Sequence, residues 1–148
     1  MSGVAGHVLG DDAIVLEGSV RTRDEAITEA GRLLVSTGAV KPSYVDAMHE
    51  RERSVSTHMG NLLAIPHGTL AAKDDILRTV MSFVHYPEGV DWGGSPVEFV
   101  VGIAAAGDDH LHLLSGLACV FTDDDLVQRL RTARTPAEVR AVLEEADA

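Results

Sequence analysis

Apolar residues near the start of the chain recur with the spacing of a short strand followed by a helix. Residues 13–16 are uniformly apolar and are bounded by Gly18, as expected of a strand. Thr22 and Glu25 have the spacing of a capping box, which opens a helix, and Gly38 provides its end. The apolar stripe of this helix consists of Ala26, Ile27, Ala30, Leu33 and Leu34.

A second helix is predicted after Pro42, with Ser43 as its N-cap. Its apolar face consists of Tyr44, Val45 and Met48. Arg51 falls near the end of this helix, shortly before residues 60–68, where the pattern changes abruptly.

Two strands are predicted in the middle of the chain. Residues 78–86 are rich in β-branched and aromatic residues, and Pro87 stops them. Residues 93–96, Gly-Gly-Ser-Pro, form a turn. Residues 97–103 are almost continuously apolar, which is typical of a central strand that is covered on both faces.

The last third of the chain predicts three helices. Asp108 or Asp109 caps a helix over residues 110–121, and a second helix covers residues 123–130. The core-facing residues of the first are predicted to be Leu111, Leu114, Leu117, Ala118 and Phe121. The last helix begins with Thr135, Pro136 and Glu138 at the N-cap, N1 and N3 positions. Strands interleaved with helices indicate an α/β domain with helices on both sides of the sheet.

Composition and charge favour one globular domain over residues 1–148, in which the Gly-rich residues 1–12 form a loose terminus. Apolar residues make up 45% and charged residues 24% of the chain, as in an ordinary soluble protein. The formal net charge of −11 argues against binding to nucleic acid or to an anionic membrane. A single cysteine, the absence of a signal-peptide pattern and the lack of a long apolar run favour a cytoplasmic protein that is not inserted into a membrane.

Residues 60–68, Gly-Asn-Leu-Leu-Ala-Ile-Pro-His-Gly, contain the most distinctive pattern of the chain. Pro66 lacks a backbone donor and biases Ile65 towards an extended conformation. Gly68 carries no side chain and leaves the imidazole of His67 approachable. The segment is therefore predicted to deliver one histidine, in one orientation, to an open surface, although a histidine that caps a turn gives the same short pattern.

The wider context of His67 resembles the phosphorylation motif of enzyme IIA components of the sugar phosphotransferase system, in the mannitol/fructose/nitrogen-regulatory superfamily. The matching residues are Met48, Arg51, Glu52, Ser56, Thr57, Gly60, Asn61 and the run from Ala64 to Thr69. Downstream, Ala72-Lys73-Asp74, His85-Tyr86-Pro87-Glu88-Gly89-Val90, Ile103-Ala104-Ala105 and His110-Leu111 resemble the mannitol-type branch in particular. Leu62 departs from the family pattern, which has a glycine at this position.

The resemblance implies a mixed sheet and a phosphoryl-carrier function. His67 is expected to accept a phosphoryl group from phospho-HPr through Nε2 and to pass it to a cysteine of enzyme IIB, which serves a membrane enzyme IIC in mannitol uptake. Imidazole suits this relay because it is neutral near its ordinary pKa of about 6.5 and can attack through one nitrogen while the other holds a proton. No metal or organic cofactor is expected. The alternative is a nitrogen-regulatory phosphoprotein that controls other proteins.

Two further residues are candidates for the same site. His110 is expected to support the reaction from a helix start, where backbone N–H groups and the helix dipole favour an anion. Arg51 is expected to hold phosphoryl oxygens in the fork of its guanidinium, unless it pairs with Glu50 or Glu52 instead.

Other reactive side chains are given structural roles. His110 and His112 point to different sides of a helix and are a poor metal pair, so His112 is expected to be exposed. His58 and His85 are expected at the surface or at strand edges. Cys119 lies in an apolar run and is expected to be a small buried residue.

Overall fold

The computed structural model describes residues 8–105 and 107–145, and these build a five-stranded mixed sheet between two layers of helices. The strands are β1 (Ile14–Val15), β2 (His58–Gly60), β3 (Leu63–Ala64), β4 (Val80–Trp92) and β5 (Ser95–Ala104). The helices are α1 (Arg23–Ser36), α2 (Ser43–Ser54), α3 (Asp108–Phe121), α4 (Asp124–Thr132) and α5 (Pro136–Glu145). Short 3-10 helices cover Asp11–Ala13 and Leu70–Asp75.

The sheet is built around the antiparallel pair of β4 and β5, in the order β1-β4-β5-β3-β2. Strand β1 is parallel to β4, and β3 is parallel to β5, whereas β2 and β3 form an antiparallel hairpin at one edge. The prediction of an α/β domain with a mixed sheet is therefore confirmed. The prediction of a central strand over residues 97–103 is also confirmed, because all of its apolar side chains are buried.

Alternate residues of β4 and β5 point into two separate cores. Phe83, Phe99 and Val101 pack against α3, α4 and α5, whereas Val84 and Val100 pack on the other face against α1 and α2. Both faces of these strands are therefore covered, which explains their nearly continuous apolar sequence.

The predicted helix ends hold for α1 and change for α2. The hydroxyl of Thr22 accepts a hydrogen bond from the Glu25 N–H at 3.2 Å, which confirms Thr22 as the N-cap, and it donates to the Glu25 carboxylate at 2.9 Å. Pro42, not Ser43, is the N-cap of α2. The hydroxyl of Ser43 instead donates to Asp75 at 2.8 Å and ties α2 to the 3-10 helix that follows the site segment.

Strand β4 does not stop at Pro87, as the sequence predicted. It continues to Trp92 through an irregularity in its pairing with β5 between His85 and Val90. Pro87 and Glu88 are exposed in this irregular part. Because the regular pairing of β4 with β5 is interrupted here, the N–H that proline lacks is not needed for a hydrogen bond between the strands.

The predicted core face of α3 is partly right, because Leu117 and Phe121 are buried and Leu114 packs against the same core, but Leu111 does not belong to it. Leu111 is 63% exposed, and the buried face consists of Leu113, Gly116, Leu117, Val120 and Phe121. The helix starts at Asp108 with Gly107 as its N-cap, and its contact face is set by packing against Phe99 and its neighbours on the sheet. Cys119 falls on the outward face and is exposed, not buried as predicted.

The beginning of the chain is only partly described. Residues 1–7 of the predicted loose terminus lie outside the described residues. The prediction does not hold for residues 8–12, because Leu9 is 3% exposed and the Val8 carbonyl accepts a hydrogen bond from the Met81 N–H at 2.7 Å. In the part of the chain that the structure describes, no helix combines the length and apolarity that crossing a bilayer requires.

Candidate active site

His67 is held at the end of the sheet, beside the last residues of β5. After β3 the chain continues extended, and the Pro66 carbonyl accepts a hydrogen bond from the Ile103 N–H at 3.0 Å. His67 itself forms an isolated parallel bridge with Ile103. The predicted extended segment that presents one histidine is thus present, and the sheet fixes its backbone.

The ring of His67 is oriented by its own backbone. Its Nδ1 atom lies 2.8 Å from the carbonyl oxygen of Ile65. A carbonyl oxygen can only accept, so Nδ1 carries the proton and the lone pair of the neutral ring resides on Nε2. This is the nitrogen that the resemblance implied as the nucleophile.

His110 lies against His67, as predicted. It is the third residue of α3, and the centroids of the two imidazole rings are 4.9 Å apart with an interplanar angle of 60°. The strand β5 and the start of α3 bring together two histidines that are 43 positions apart in the chain.

Arg51 reaches the same cleft from the last turn of α2. Its guanidinium donates to the Val55 carbonyl, and its charge acts on both His67 and His110. The alternative pairing with Glu52 is not made, because the Glu52 carboxylate accepts hydrogen bonds from Thr57 and Trp92 instead.

The surroundings keep both imidazoles neutral. Burial lowers the pKa of His67 below its ordinary value of 6.5, and the charges of His110 and Arg51 lower this pKa further. The hydrogen bond to the Ile65 carbonyl and the charge of Glu52 oppose this shift. Burial and the charge of Arg51 also lower the pKa of His110. A neutral His67 has a free lone pair at pH 7, as a nucleophile requires.

A buried carboxylate supports the segment that carries His67. Glu52 is 7% exposed and accepts hydrogen bonds from the Thr57 N–H, the Thr57 hydroxyl and the Trp92 indole N–H at 2.6 to 3.1 Å. The Thr57 carbonyl in turn accepts from the Ile65 N–H at 3.0 Å, and Ile65 holds Nδ1 of His67. Glu52 thus connects α2, β4 and the segment that carries His67.

These groups surround an open cleft of about 560 Å³. Its lining includes Tyr44, Lys73 and Leu70 in addition to the three predicted residues. Tyr44 was predicted only as a core residue of α2. Its position seven residues before Arg51 places both side chains on one face of the helix, and this spacing was the available signal for a role at the site.

The remaining candidates lie elsewhere or serve the backbone. His112 is exposed, as predicted, and His58 lies on the edge strand β2. The prediction for His85 is wrong: it is 7% exposed, stacks on Phe99 with a centroid distance of 4.8 Å, and lies 3.2 Å from Glu98. Its place in the long central strand β4 explains this burial.

Ser56 and Asn61 act locally. The Ser56 hydroxyl accepts a hydrogen bond from the His58 N–H at 3.1 Å. Asn61 and Leu62 form the turn between β2 and β3 with positive φ angles of 53° and 69°. Leu62 therefore adopts the conformation that suits the glycine of the family pattern, and its carbonyl accepts from Glu98 and Phe99 at 2.9 and 3.0 Å.

Among residues 8–105 and 107–145, no group of three or more His, Cys, Asp or Glu side chains is arranged to hold a metal ion. What the cleft offers is a nucleophilic nitrogen, a second imidazole and two cationic side chains, Arg51 and Lys73. This combination suits the transfer of an anionic group to a nitrogen atom.

Sequence comparison identifies the family to which this arrangement belongs. The sequence pattern of the family described as "Phosphoenolpyruvate-dependent sugar phosphotransferase system, EIIA 2" matches residues 7–146. The chain belongs to this EIIA type 2 family.

Relatives of this EIIA chain include named mannitol proteins. It is 45% identical over 142 residues to the mannitol-specific phosphotransferase enzyme IIA component of Staphylococcus aureus strain Mu50, which covers 96% of the chain and 99% of that protein. Its fold matches mannitol enzyme IIA of Escherichia coli, solved in complex with phosphorylated mannitol enzyme IIB, with a TM-score of 0.84 and 36% identity over 92% of the chain and 98% of that protein. It also matches nitrogen regulatory protein IIA-Ntr of Neisseria meningitidis, with a TM-score of 0.81 and 30% identity over 95% and 99% of the two chains.

Proposed function

We propose that the EIIA chain is the phosphoryl carrier of a mannitol phosphotransferase system and that His67 is its phosphorylated residue. The observation that supports this assignment most strongly is the pairing of Nδ1 with the Ile65 carbonyl, which leaves Nε2 free in the cleft. The 45% identity to a mannitol-specific enzyme IIA component supports the substrate system. The carrier works in the cytoplasm, where HPr would donate to it.

The transfer proceeds by two displacements at phosphorus. The lone pair of His67 Nε2 attacks the phosphorus of phospho-HPr, and the bond from phosphorus to the HPr nitrogen breaks with its electron pair returning to that nitrogen. The proton on Nδ1 stays in its hydrogen bond to Ile65, so the phosphorylated ring is cationic and remains a good leaving group. A thiolate of enzyme IIB then attacks the phosphorus, the bond from phosphorus to Nε2 breaks with its electron pair returning to Nε2, and His67 returns to its neutral form.

Two neighbouring side chains stabilise the phosphoryl group during transfer. Arg51 offers a planar fork of N–H donors to the phosphoryl oxygens, and the charge of its guanidinium already acts on both imidazoles. His110, at 4.9 Å between ring centroids, offers one further N–H. Preorganised donors of this kind act where charge moves between donor and acceptor.

A nitrogen-regulatory role is the second candidate. It is favoured by the fold match to IIA-Ntr at 30% identity, and the same phosphorylation chemistry would serve it. The acceptor distinguishes the two roles, because a transport carrier passes its phosphoryl group to enzyme IIB and a regulator does not need to.

The experiment is stepwise reconstitution with phosphoenolpyruvate, enzyme I and HPr, followed by purified mannitol-type and fructose-type IIB domains. The expected result is an acid-labile phosphoryl group on the chain that is discharged by the mannitol-type IIB domain. Labelling without discharge to either IIB domain would favour the regulatory role, and no labelling would contradict both.

A further inference from the structure

Tyr44 lies beneath the nucleophile segment, residues 66–68. Its hydroxyl forms hydrogen bonds to two backbone groups of the site. Tyr44 is 2% exposed and projects from the first turn of α2. Its hydroxyl accepts a hydrogen bond from the Gly68 N–H at 2.9 Å and donates to the Ile103 carbonyl at 2.9 Å. The hydroxyl therefore joins the residue after His67 to the residue that pairs with His67 in the sheet.

We propose that Tyr44 is a positioning residue for His67: its hydroxyl occupies the next rung of the ladder between residues 66–68 and β5 and thereby sets the direction of Nε2. The rung before it is the bond from the Ile103 N–H to the Pro66 carbonyl. In a regular parallel ladder the following bond would run from the Gly68 N–H to the Ile103 carbonyl. These are the two groups that the Tyr44 hydroxyl bridges.

The hydroxyl holds the backbone on the C-terminal side of His67. It connects the Gly68 N–H to the Ile103 carbonyl through two hydrogen bonds. On the N-terminal side, the Pro66 carbonyl is held directly by the Ile103 N–H. The direction in which the imidazole leaves the backbone depends on both attachments.

Contact between the Tyr44 ring and the backbone fixes the same point from the side. A Cβ atom on residue 68 would lie 2.5 Å from Cε1 and 2.9 Å from Cζ of Tyr44, closer than such atoms approach. The glycine after the nucleophile therefore allows the ring to lie directly under the chain. Removing the hydroxyl alone would keep this ring contact but would remove the hydrogen bonds to the Gly68 N–H and the Ile103 carbonyl.

The hydroxyl must stay protonated to make both bonds, since a phenolate cannot donate to Ile103. Burial raises the pKa of Tyr44 above its ordinary value of 10.0. Tyr44 also has almost no exposed surface with which to touch a partner protein. Its effect is therefore expected in the transfer step and not in the docking of HPr.

The inference rests on the proposed function, and the other tyrosine of the chain offers a matched control. Tyr86 is also fully buried and its hydroxyl donates to Glu29 on α1, away from the cleft. In Tyr44→Phe the Gly68 N–H and the Ile103 carbonyl lose the hydroxyl that connects them, so the backbone after His67 is free to shift relative to β5. Tyr86→Phe also deletes a buried hydroxyl but leaves the nucleophile segment in place.

Single-turnover phosphorylation by phospho-HPr and ¹⁵N NMR of the His67 ring test the proposal at a temperature where melting curves show both variants folded. For Tyr44→Phe we expect the maximal rate to fall roughly 10- to 100-fold with the HPr concentration at half-maximal rate nearly unchanged, because small displacements of a reacting group cost about that much. We also expect shifted His67 ring signals, with Tyr86→Phe like the wild type in both measurements.

A wild-type rate together with wild-type ring signals in Tyr44→Phe would overturn the proposal, as would equal loss in Tyr86→Phe. If the wild-type chain were not phosphorylated, the proposed function would fail, whereas the ring signals would still decide whether Tyr44 orients His67. If Tyr44→Phe did not fold, Gly68→Ala would displace the same backbone with the hydroxyl retained, and a wild-type rate and wild-type signals in that variant would contradict the proposal.

Discussion

The imidazole rings of His67 and His110 lie 4.9 Å apart at an angle of 60°, close enough for both to face one phosphoryl group. The Nδ1 atom of His67 is fixed by the backbone, through the Ile65 carbonyl. In the proposed function, His67 therefore presents the nucleophile, and His110 donates to the oxygens of the transferred group.

This difference predicts distinct defects in the two histidine variants. His110→Ala keeps the acceptor and loses one donor, so phosphorylation should continue at a rate roughly 100- to 1000-fold lower. His112→Ala, two residues further along α3, should remain close to the wild type because this side chain is exposed and does not line the cleft. Rapid-quench transfer from phospho-HPr and then to enzyme IIB measures both; a crippled His112→Ala beside a normal His110→Ala would refute the assignment.

The pH dependence of transfer should follow the lowered pKa of His67. Because burial lowers that pKa below its ordinary value of 6.5, the acid limb of the rate profile should lie at lower pH than for an ordinary histidine, and the rate constant should be level at higher pH. The rate should fall only as the pH drops through the lowered pKa and the ring becomes protonated.

Arg51→Gln tests one contribution to this lowered pKa, whose largest cause is burial. Removing the guanidinium should raise the pKa of both His67 and His110, so the acid limb of the profile should move to higher pH. NMR titration of the two rings provides the check. Unmoved titration curves would show that Arg51 does not act on the rings.

Folding stability should also decrease as the pH falls. Since the pKa of each site histidine is lower in the folded protein, the unfolded chain binds more protons around pH 6. Stability from this source is present above pH 6.5 and is lost as the pH falls through the folded pKa. Urea unfolding at pH 7.5 and pH 5.5 would measure the loss, and the His67→Ala, His110→Ala double variant should show less of it.

Glu52 should matter for stability as well as for the site. Glu52→Ala would leave the Thr57 N–H and the Trp92 indole N–H without their buried acceptor, at a cost of roughly 2–4 kcal/mol in the free energy of unfolding. Glu50→Ala is the matched control, because Glu50 is exposed on the same helix and its loss should cost less than about 0.5 kcal/mol. Similar unfolding midpoints for the two variants would argue against the network.

Partner association should depend on ionic strength. Leu70 and Leu111 are exposed, Leu70 lines the cleft, and exposed acidic residues, including Asp74 and Asp108, lie within four positions of them in the chain. Carboxylates of this kind would attract a basic surface of HPr, and salt screens such attraction beyond about 8 Å at physiological ionic strength. Stopped-flow association rates should therefore fall as salt is raised; rates that do not change would contradict this picture.

Local patterns predicted much of the fold because they are set by local physics. A few neighbouring residues are enough to predict some elements, such as the helix start at Thr22 and Glu25 and the buried strand over residues 97–103. On α3 the sequence predicts Leu117 and Phe121 correctly but places Leu111 in the core, because Leu111 and Leu113 are equally apolar and only packing against the sheet decides between them. The predicted strand ended at residue 86 because the sequence does not show that the pairing of β4 with β5 is irregular at Pro87 and can accommodate a proline there.

The sequence predicted those residues of the site that belong to a recognisable motif. His67, Arg51 and His110 meet in one cleft, as expected from the resemblance. The contributions of Tyr44 and Glu52 depend on hydrogen bonds to Ile103 and Trp92, 59 and 40 positions away. No local pattern encodes such contacts, and only the folded chain shows them.

The central claim is that Nε2 of His67 carries the phosphoryl group. The most direct measurement is ³¹P–¹H–¹⁵N correlation NMR of the chain after incubation with phosphoenolpyruvate, enzyme I and HPr, because scalar coupling identifies the bonded ring nitrogen. We predict coupling of phosphorus to Nε2 of His67 and the complete absence of the signal in His67→Ala. Phosphorus bonded to Nδ1 of His67, to His110 or to any other residue would contradict the account.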